Sequence, residues 1–262
     1  MLKTAILASG SSGNCAAVSD GRTHILIDAG ISARRITAGL RALELDPRSV
    51  HGVLITHEHS DHIAGLPVLC RQLDLLLYAT EPTAAAVCAR WPELAERFRV
   101  FDPGEYFAAG TLTAGSFPTS HDCACPVGYT LTDGGAKLAF CTDLGVVTDQ
   151  VRAGIQGARL LVGEFNHDIE LLRTGSYPPA LKRRILGDRG HLSNEAGAEL
   201  ALWAAERGAR QIMLAHLSAE NNRPPLALAA AEGTLKSAGA ELGGDVAVSA
   251  APRDTASGWM EV

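Results

Sequence analysis

Between His57 and His62 the chain reads H-x-H-x-D-H, placing three imidazoles and a carboxylate within six residues. So many ionisable groups side by side are costly unless a cation balances them, and imidazole with carboxylate is a ligand set for divalent metals. The segment follows directly on the apolar run Gly52 to Thr56 (GVLIT), which reads as a buried strand. In a tight loop after that strand, His57 and His59 can face one ion while Asp61 and His62 face another. A surface loop that is merely rich in histidine is the weaker alternative.

A two-metal site needs further ligands from distant parts of the chain. Three candidates follow predicted strands: His121 after TLTAGSFPTS, Asp143 after AKLAFCT and His216 after QIMLA. A carboxylate such as Asp143 can bridge two ions roughly 3.5 to 4 Å apart, with room for a bridging water.

The elements that must position these residues are legible in outline. Short β runs at Lys3 to Ala8, Ala16 to Ser19 and His24 to Asp28 form a meander, and Ser32 precedes a helix from Ala33 to Leu43. After the histidine cluster we expect a helix at Ile63 to Leu73, a strand at Leu75 to Tyr78 and a helix at Pro82 to Arg90. From Phe98 to Thr142 the runs FRVF, TLTAGSF, VGYTLT and AKLAFCT read as a second sheet. Helices are expected at Leu144 to Ala153, Pro178 to Leu186, Asn194 to Arg207 and Pro224 to Ala238, and strands at Arg159 to Gly163, Gln211 to Ala215 and Asp245 to Ala250. Two β-rich portions with helices outside imply an α/β (α+β) protein built as an αββα sandwich. No linker-like composition shift divides it, so residues 1–262 are expected to form one domain.

Composition bounds the function. With 262 residues, 47% hydrophobic and 20% charged, the chain can bury a large core and is not a disordered segment. No apolar run reaches the roughly 18 residues that cross a bilayer, and MLKTAILASGSSGN turns polar too early for a secretory signal. We therefore expect a cytoplasmic protein without membrane contact. The six cysteines are read as reduced, and Cys123 and Cys125, spaced C-x-C, do not make a zinc knuckle. A net charge of -6 speaks against nonspecific nucleic-acid binding, but several of the acids sit where metal ligands are expected.

These motifs resemble the metallo-β-lactamase superfamily, whose ligands lie at strand ends along one edge of a four-layer αββα sandwich. The resemblance implies that His57, His59 and His121 hold one metal, that Asp61, His62 and His216 hold the other, and that Asp143 bridges. Four further segments, SGSSGN (Ser9 to Asn14), EFNHD (Glu164 to Asp168), YPPALKRRILGDRGHLSN (Tyr177 to Asn194) and LAHLSAENN (Leu214 to Asn222), resemble the YycJ/WalJ branch. That resemblance implies a binuclear phosphodiesterase, a DNA exonuclease acting 5′-to-3′, in which a hydroxide held between the metals attacks phosphorus. Larger nucleases of the superfamily carry a β-CASP insertion, and this length leaves no space for one, so loops of the core must bind the substrate. No organic cofactor is implied. Zinc suits the histidine-rich set, manganese or iron also fit a site containing carboxylates, and oligomeric state stays open.

Accessory residues follow. Ser11, Ser12 and Asn14 in the glycine turn can donate to phosphate oxygens. His191 and Ser193 lie where a helix begins, with His191 assigned to the scissile phosphate and Ser193 also suited to cap the helix. Lys182, Arg183 and Arg184 form a basic run, of which helical geometry lets at most two face a substrate. His167 reads as a general acid, a metal contact or a hydrogen-bond partner that Asp168 orients. Asp28 and Asp122 read as carboxylates supporting ligands from behind, while His24 and His51 receive no catalytic role. Other chemistries of the fold compete: hydrolysis of a thioester, lactone or β-lactam, a flavodiiron redox centre (which carries Glu where His59 stands), and a non-catalytic regulatory metal binder.

Overall fold

The layering follows from which way alternate side chains point. Along Gln211–Ala215, Ile212 and Leu214 join one apolar cluster while Met213 and Ala215 join another. Along His24–Ile27, Leu26 goes one way and Ile25 and Ile27 the other. Successive strand residues face opposite sides, so strands apolar at every position must be covered twice.

The computed structural model covers residues 1–262. Its first sheet contains β1 (Lys3–Ala8), β2 (Cys15–Ser19), β3 (His24–Ile27), β4 (Val50–Leu54), β5 (Leu76–Thr80) and β6 (Phe98–Phe101). The second contains β7 (Tyr106–Ala109), β8 (Leu112–Pro118), β9 (Val127–Thr132), β10 (Lys137–Cys141), β11 (Leu160–Glu164), β12 (Gln211–Ala215) and β13 (Ala247–Ala250). A last strand, β14 (Met260–Glu261), returns to pair with β1, giving seven strands in each sheet. Helices α1 (Ala33–Ala42), α2 (Ser60–Ile63), α3 (Leu66–Gln72) and α4 (Glu81–Arg90) connect strands of the first sheet. Helices α5 (Asp149–Ile155), α6 (Ile169–Thr174), α7 (Pro179–Ile185), α8 (Asn194–Ala205) and α9 (Pro224–Ser237) serve the second. One core lies between the sheets, with Ile6, Leu54 and Tyr78 meeting Tyr129, Phe140 and Met213. Further cores fill the spaces under the helices, so the expected four-layer αββα sandwich is what forms.

Each sheet is antiparallel at one side and parallel at the other. β3 to β6 run parallel, as do β10 to β13. Their carboxyl ends therefore lie together along one edge, the place where open α/β sheets bind ligands.

Some local expectations need correction. Phe98–Phe101 does not enter the second sheet; it pairs parallel with β5 after the α4 crossover, as the edge of the first. The second sheet starts instead at Tyr106–Ala109, a strand the pattern did not reveal, and α6 was likewise unforeseen. The helix expected over Ile63 to Leu73 is broken at Gly65, whose N–H donates to the Ala29 carbonyl at 2.8 Å. A Cβ at Gly65 would stand 2.2 Å from the Ile31 carbonyl oxygen, so the chain must pass there without a side chain. The helix expected from Leu144 begins only at Asp149, where Thr148 caps it. All six cysteines are free, with Cys15, Cys70 and Cys141 buried.

Candidate metal centre

The His57 to His62 loop leaves the carboxyl end of β4 and is fixed from behind by Asp28, at the end of β3. One Asp28 oxygen accepts from the Thr56 N–H (2.8 Å), and the other from the Thr56 hydroxyl (2.8 Å) and His62 Nδ1 (2.7 Å). With Nδ1 donating, His62 turns its Nε2 lone pair toward the site. The SGSSGN turn clamps the same loop from the side. Asn14 N–H donates to the Asp61 carbonyl at 2.8 Å, and Asn14 Nδ2 lies 3.1 Å from His62 Nε2. Gly30 completes this clamp, since a Cβ there would fall 1.6 Å from the Asp61 carbonyl oxygen.

From the second sheet the residues arrive singly. His121 follows β8, Asp143 follows β10 and His216 follows β12, while Glu164 ends β11. Asp28, Asp143 and His216 hold φ of 58°, 61° and 58°, the left-handed region that non-glycine residues seldom occupy. Each turns the chain sharply at a strand end and aims its side chain at the shared edge, at a cost of order 1–3 kcal/mol.

The nitrogens of His57, His59 and His121 converge. His59 Nδ1 lies 3.1 Å from His57 Nε2 and 3.2 Å from His121 Nε2. His121 donates through Nδ1 to the Gly190 carbonyl (3.0 Å), and His57 Nδ1 meets the Thr56 hydroxyl (3.0 Å), whose own proton goes to Asp28. Both Nε2 atoms are therefore acceptors, and His59 can give a proton to only one of them. A cation among the three nitrogens removes that conflict. Beside them, Asp61 Oδ2 lies 3.6 Å from both His62 Nε2 and His216 Nε2. Asp143 stands between, its Oδ2 3.4 Å from His62 Nε2 and its Oδ1 3.5 Å from His216 Nε2 and 3.8 Å from His121 Nε2. Asp143 Oδ2 and His216 Nε2 are buried without any hydrogen-bond partner. Uncompensated buried atoms of this kind, in a set of imidazoles and carboxylates, fit divalent cations.

Charge coupling is strong throughout. Burial opposes a charged His62, yet Asp143 and Asp28 outweigh it and push its pKa up to about 9. His216 is likewise raised against its burial by Asp143, Asp61 and Glu164. His57 goes the other way, held well down by burial and by the rings around it. Asp61 and Glu164 stay below the usual carboxylate range despite burial, Asp61 through His216 and His62, Glu164 through His191 and His216.

Glu164 is the residue that sequence reading passed over. Its Oε1 accepts from Nδ1 of His191 (2.8 Å) and of His216 (2.9 Å), and its Oε2 from the N–H groups of Leu144 (3.0 Å) and Leu192 (3.2 Å). A carboxylate ending the fully buried run LLVGE, parallel to the strands that deliver Asp143 and His216, was the available signal.

The remaining candidates separate. Ser11, His191 and Arg184 line the cavity over the cluster, whereas Ser12 points to solvent. Ser193 caps α8, accepting from the Ala196 N–H. Lys182 is occupied at the end of α6, donating to the carbonyls of Arg173 and Gly175 at 2.7 Å each. Arg184 pairs with Asp122 through both Nε and Nη2, and Arg183 is exposed. His167 is buried, with no partner for either ring nitrogen and no part in the cavity lining. Burial pushes its pKa down to about 4. Asp168 does not orient it; it caps α6 through the Leu171 N–H.

Comparison with known proteins places this chain among relatives. Residues 23–217 match the family model described as "Beta-lactamase superfamily domain". The chain is 41% identical over 227 residues to a Bacillus anthracis protein named Exodeoxyribonuclease YycJ, covering 86% of each. It is 38% identical over 263 residues to Exodeoxyribonuclease WalJ of Streptococcus pneumoniae, covering 99% of this chain and 98% of that one. Among solved structures, unliganded yeast PDE1 superposes with a TM-score of 0.73 at 14% identity, covering 97% of this chain and 99% of that one. Zn(2+)-bound PqqB from Methylobacterium extorquens gives 0.72 at 20% identity, covering 99% and 100%. These two likenesses speak to the fold alone.

Proposed function

This chain belongs to the metallo-β-lactamase superfamily, in the branch of the YycJ and WalJ proteins, and from that premise we propose that it is a binuclear, metal-dependent DNA exonuclease acting 5′ to 3′. That it is a metal-dependent hydrolase follows from the family itself. The observation that carries the finer reading is likeness to proteins named exodeoxyribonuclease across nearly the whole chain, joined to a cavity floored by metal-type ligands.

In this reading His57, His59 and His121 hold one ion, Asp61, His62 and His216 hold a second, and Asp143 lies between them. Their ligand atoms gather in groups within 4.8 Å of one another. When bound, two zinc or manganese ions there supply a Lewis acid for the phosphoryl oxygens and an acidified water. The chain does the rest. Asp28 fixes His62, and Glu164 fixes His191 and His216, so that each presents Nε2 to the site. His191, its Nδ1 committed to Glu164, offers Nε2 to a phosphoryl oxygen or a proton to the leaving oxygen. Ser11 and Arg184, lining the same cavity, are placed for flanking phosphates. In this reading the chain acts as one domain with no β-CASP insertion, and these loops of the core bind the substrate. No helix is long and apolar enough to cross a membrane, and we place the activity in the cytoplasm.

Digestion of single- and double-stranded DNA and RNA, labelled at either end, with zinc, manganese or chelator present, tests this. Stepwise metal-dependent release from 5′ DNA ends is expected. Hydrolysis of a thioester or lactone, with every nucleic acid left intact, would overturn it.

A further inference from the structure

The cavity over the ligand cluster has two unlike walls. Its volume is about 230 Å³, and thirteen residues line it, of which three are hydrophobic. Those three are Tyr177, Leu181 and Ile185, all from one stretch of chain. Leu181 and Ile185, four residues apart, share one face of α7 with Arg184 at its edge, and Tyr177 stands just before the helix, which starts at Pro179. Facing them are the carboxylates and imidazoles of the cluster, among them the unpartnered Asp143 Oδ2 and His216 Nε2.

This wall is tied down. Lys182 fastens α7 to the end of α6. His191 N–H donates to the Ile185 carbonyl at 3.0 Å, and Gly190 passes so close that a Cβ would stand 2.2 Å from that same oxygen. The apolar stripe and His191 are thus held as one unit at a fixed distance from the ligands.

Resting on the nuclease reading, the geometry points to a nucleobase subsite: Tyr177 and Leu181 receive the flat face of the terminal base while the scissile phosphate lies over the ligand cluster. Stacking on an aromatic ring suits every base, because each has a π-face, and gives binding without sequence preference. At about 230 Å³, below the roughly 300–1,000 Å³ of drug-sized pockets, the cavity is on the scale of a single nucleotide, here the terminal one. Stacking of the terminal base on this wall then favours a chain end over an internal position. Arg184, at the rim and exposed, exchanges Asp122 for the next phosphate.

The test uses the full chain with Tyr177→Ala, Tyr177→Phe and Leu181→Ala. Substrates are oligonucleotides whose end residue is either natural or abasic. The parent should prefer the natural end about tenfold in KM, with kcat little changed. Tyr177→Ala should remove that preference and Tyr177→Phe keep it, with Leu181→Ala intermediate. Metal-free protein should show the same ranking in fluorescence-anisotropy binding of the two oligonucleotides. Equal losses on natural and abasic ends in Tyr177→Ala, or no loss at all, would overturn the subsite. Failure of the parent to cut DNA would instead overturn the nuclease reading beneath it.

Discussion

The two sheets contribute to one site in opposite ways. The first supplies His57, His59, Asp61 and His62 from a single short loop, braced by Asp28 and clamped by Asn14. The second supplies His121, Asp143, Glu164 and His216 one at a time, from ends of strands separated by long stretches of chain. A loop can set four candidate ligands by local geometry alone. Strand ends must be brought into line by pairing across the sheet, parallel for Asp143, Glu164 and His216, as Cys141 opposite Gly163 and Glu164 opposite Ala215 show, and antiparallel for the β8 strand that leads to His121. The left-handed turns at Asp143 and His216 belong to this second strategy, with Asp28 the one counterpart in the first sheet's half of the site.

The most damaging way to probe that contrast is to remove one ligand from each side. Asp61→Ala or His62→Ala, and equally Asp143→Ala, should abolish hydrolysis while circular dichroism stays that of the folded chain. Metal analysis should then find fewer than two ions per chain. Full turnover with a single ion bound would end the two-metal reading.

His191 belongs to the second half, and the proposed reading assigns it to the substrate and not to the ions. His191→Ala should lower turnover on DNA by about 10²-fold or more, in line with loss of a positioned proton donor, with metal content unchanged. Loss of an ion in that variant would make His191 a ligand, alongside the Asp143, Glu164 and His216 it already neighbours.

Paired substitutions in the supports sharpen the comparison. Asp28→Asn weakens the brace behind the loop, and Glu164→Gln the brace behind the strand ends. Each should cost roughly 10–100-fold in metal affinity or activity. Because Glu164 holds two rings where Asp28 holds one, Glu164→Gln should be the worse, as titration with zinc under a competing chelator would measure. Equal effects would mean the second half is no more dependent on its support than the first.

The smallest effect is expected at the basic run. Replacing Lys182, Arg183 and Arg184 together with alanine should flatten the salt dependence of DNA binding, each lost phosphate contact lowering the log–log slope by about 0.7–0.9. Lys182→Ala alone should leave that slope and reduce thermal stability instead, since its ammonium is committed to the end of α6. An unchanged slope in the triple variant would make the run a solvated face and leave phosphate contact to Ser11 and His191.

Sequence by itself determined much of this protein. H-x-H-x-D-H after an apolar run pointed to a metal loop, because three rings and a carboxylate within six residues are costly without a cation, and the candidates His121, Asp143 and His216 do follow strand ends. Apolar strands separated by helices declared the sandwich. What only the tertiary structure decided is whatever depends on distance between segments. Phe98–Phe101 joined the first sheet because crossover handedness, not local pattern, assigns a strand to its neighbour. Glu164 looked like an ordinary acid until parallel register set it behind His191 and His216. Leu181 and Ile185 read as helix residues and Tyr177 as the residue before that helix, and the three became one wall of a cavity only when α7 folded over the strand ends. Local spacing encodes groups that act as neighbours in sequence; groups that meet across the fold share no local pattern to read.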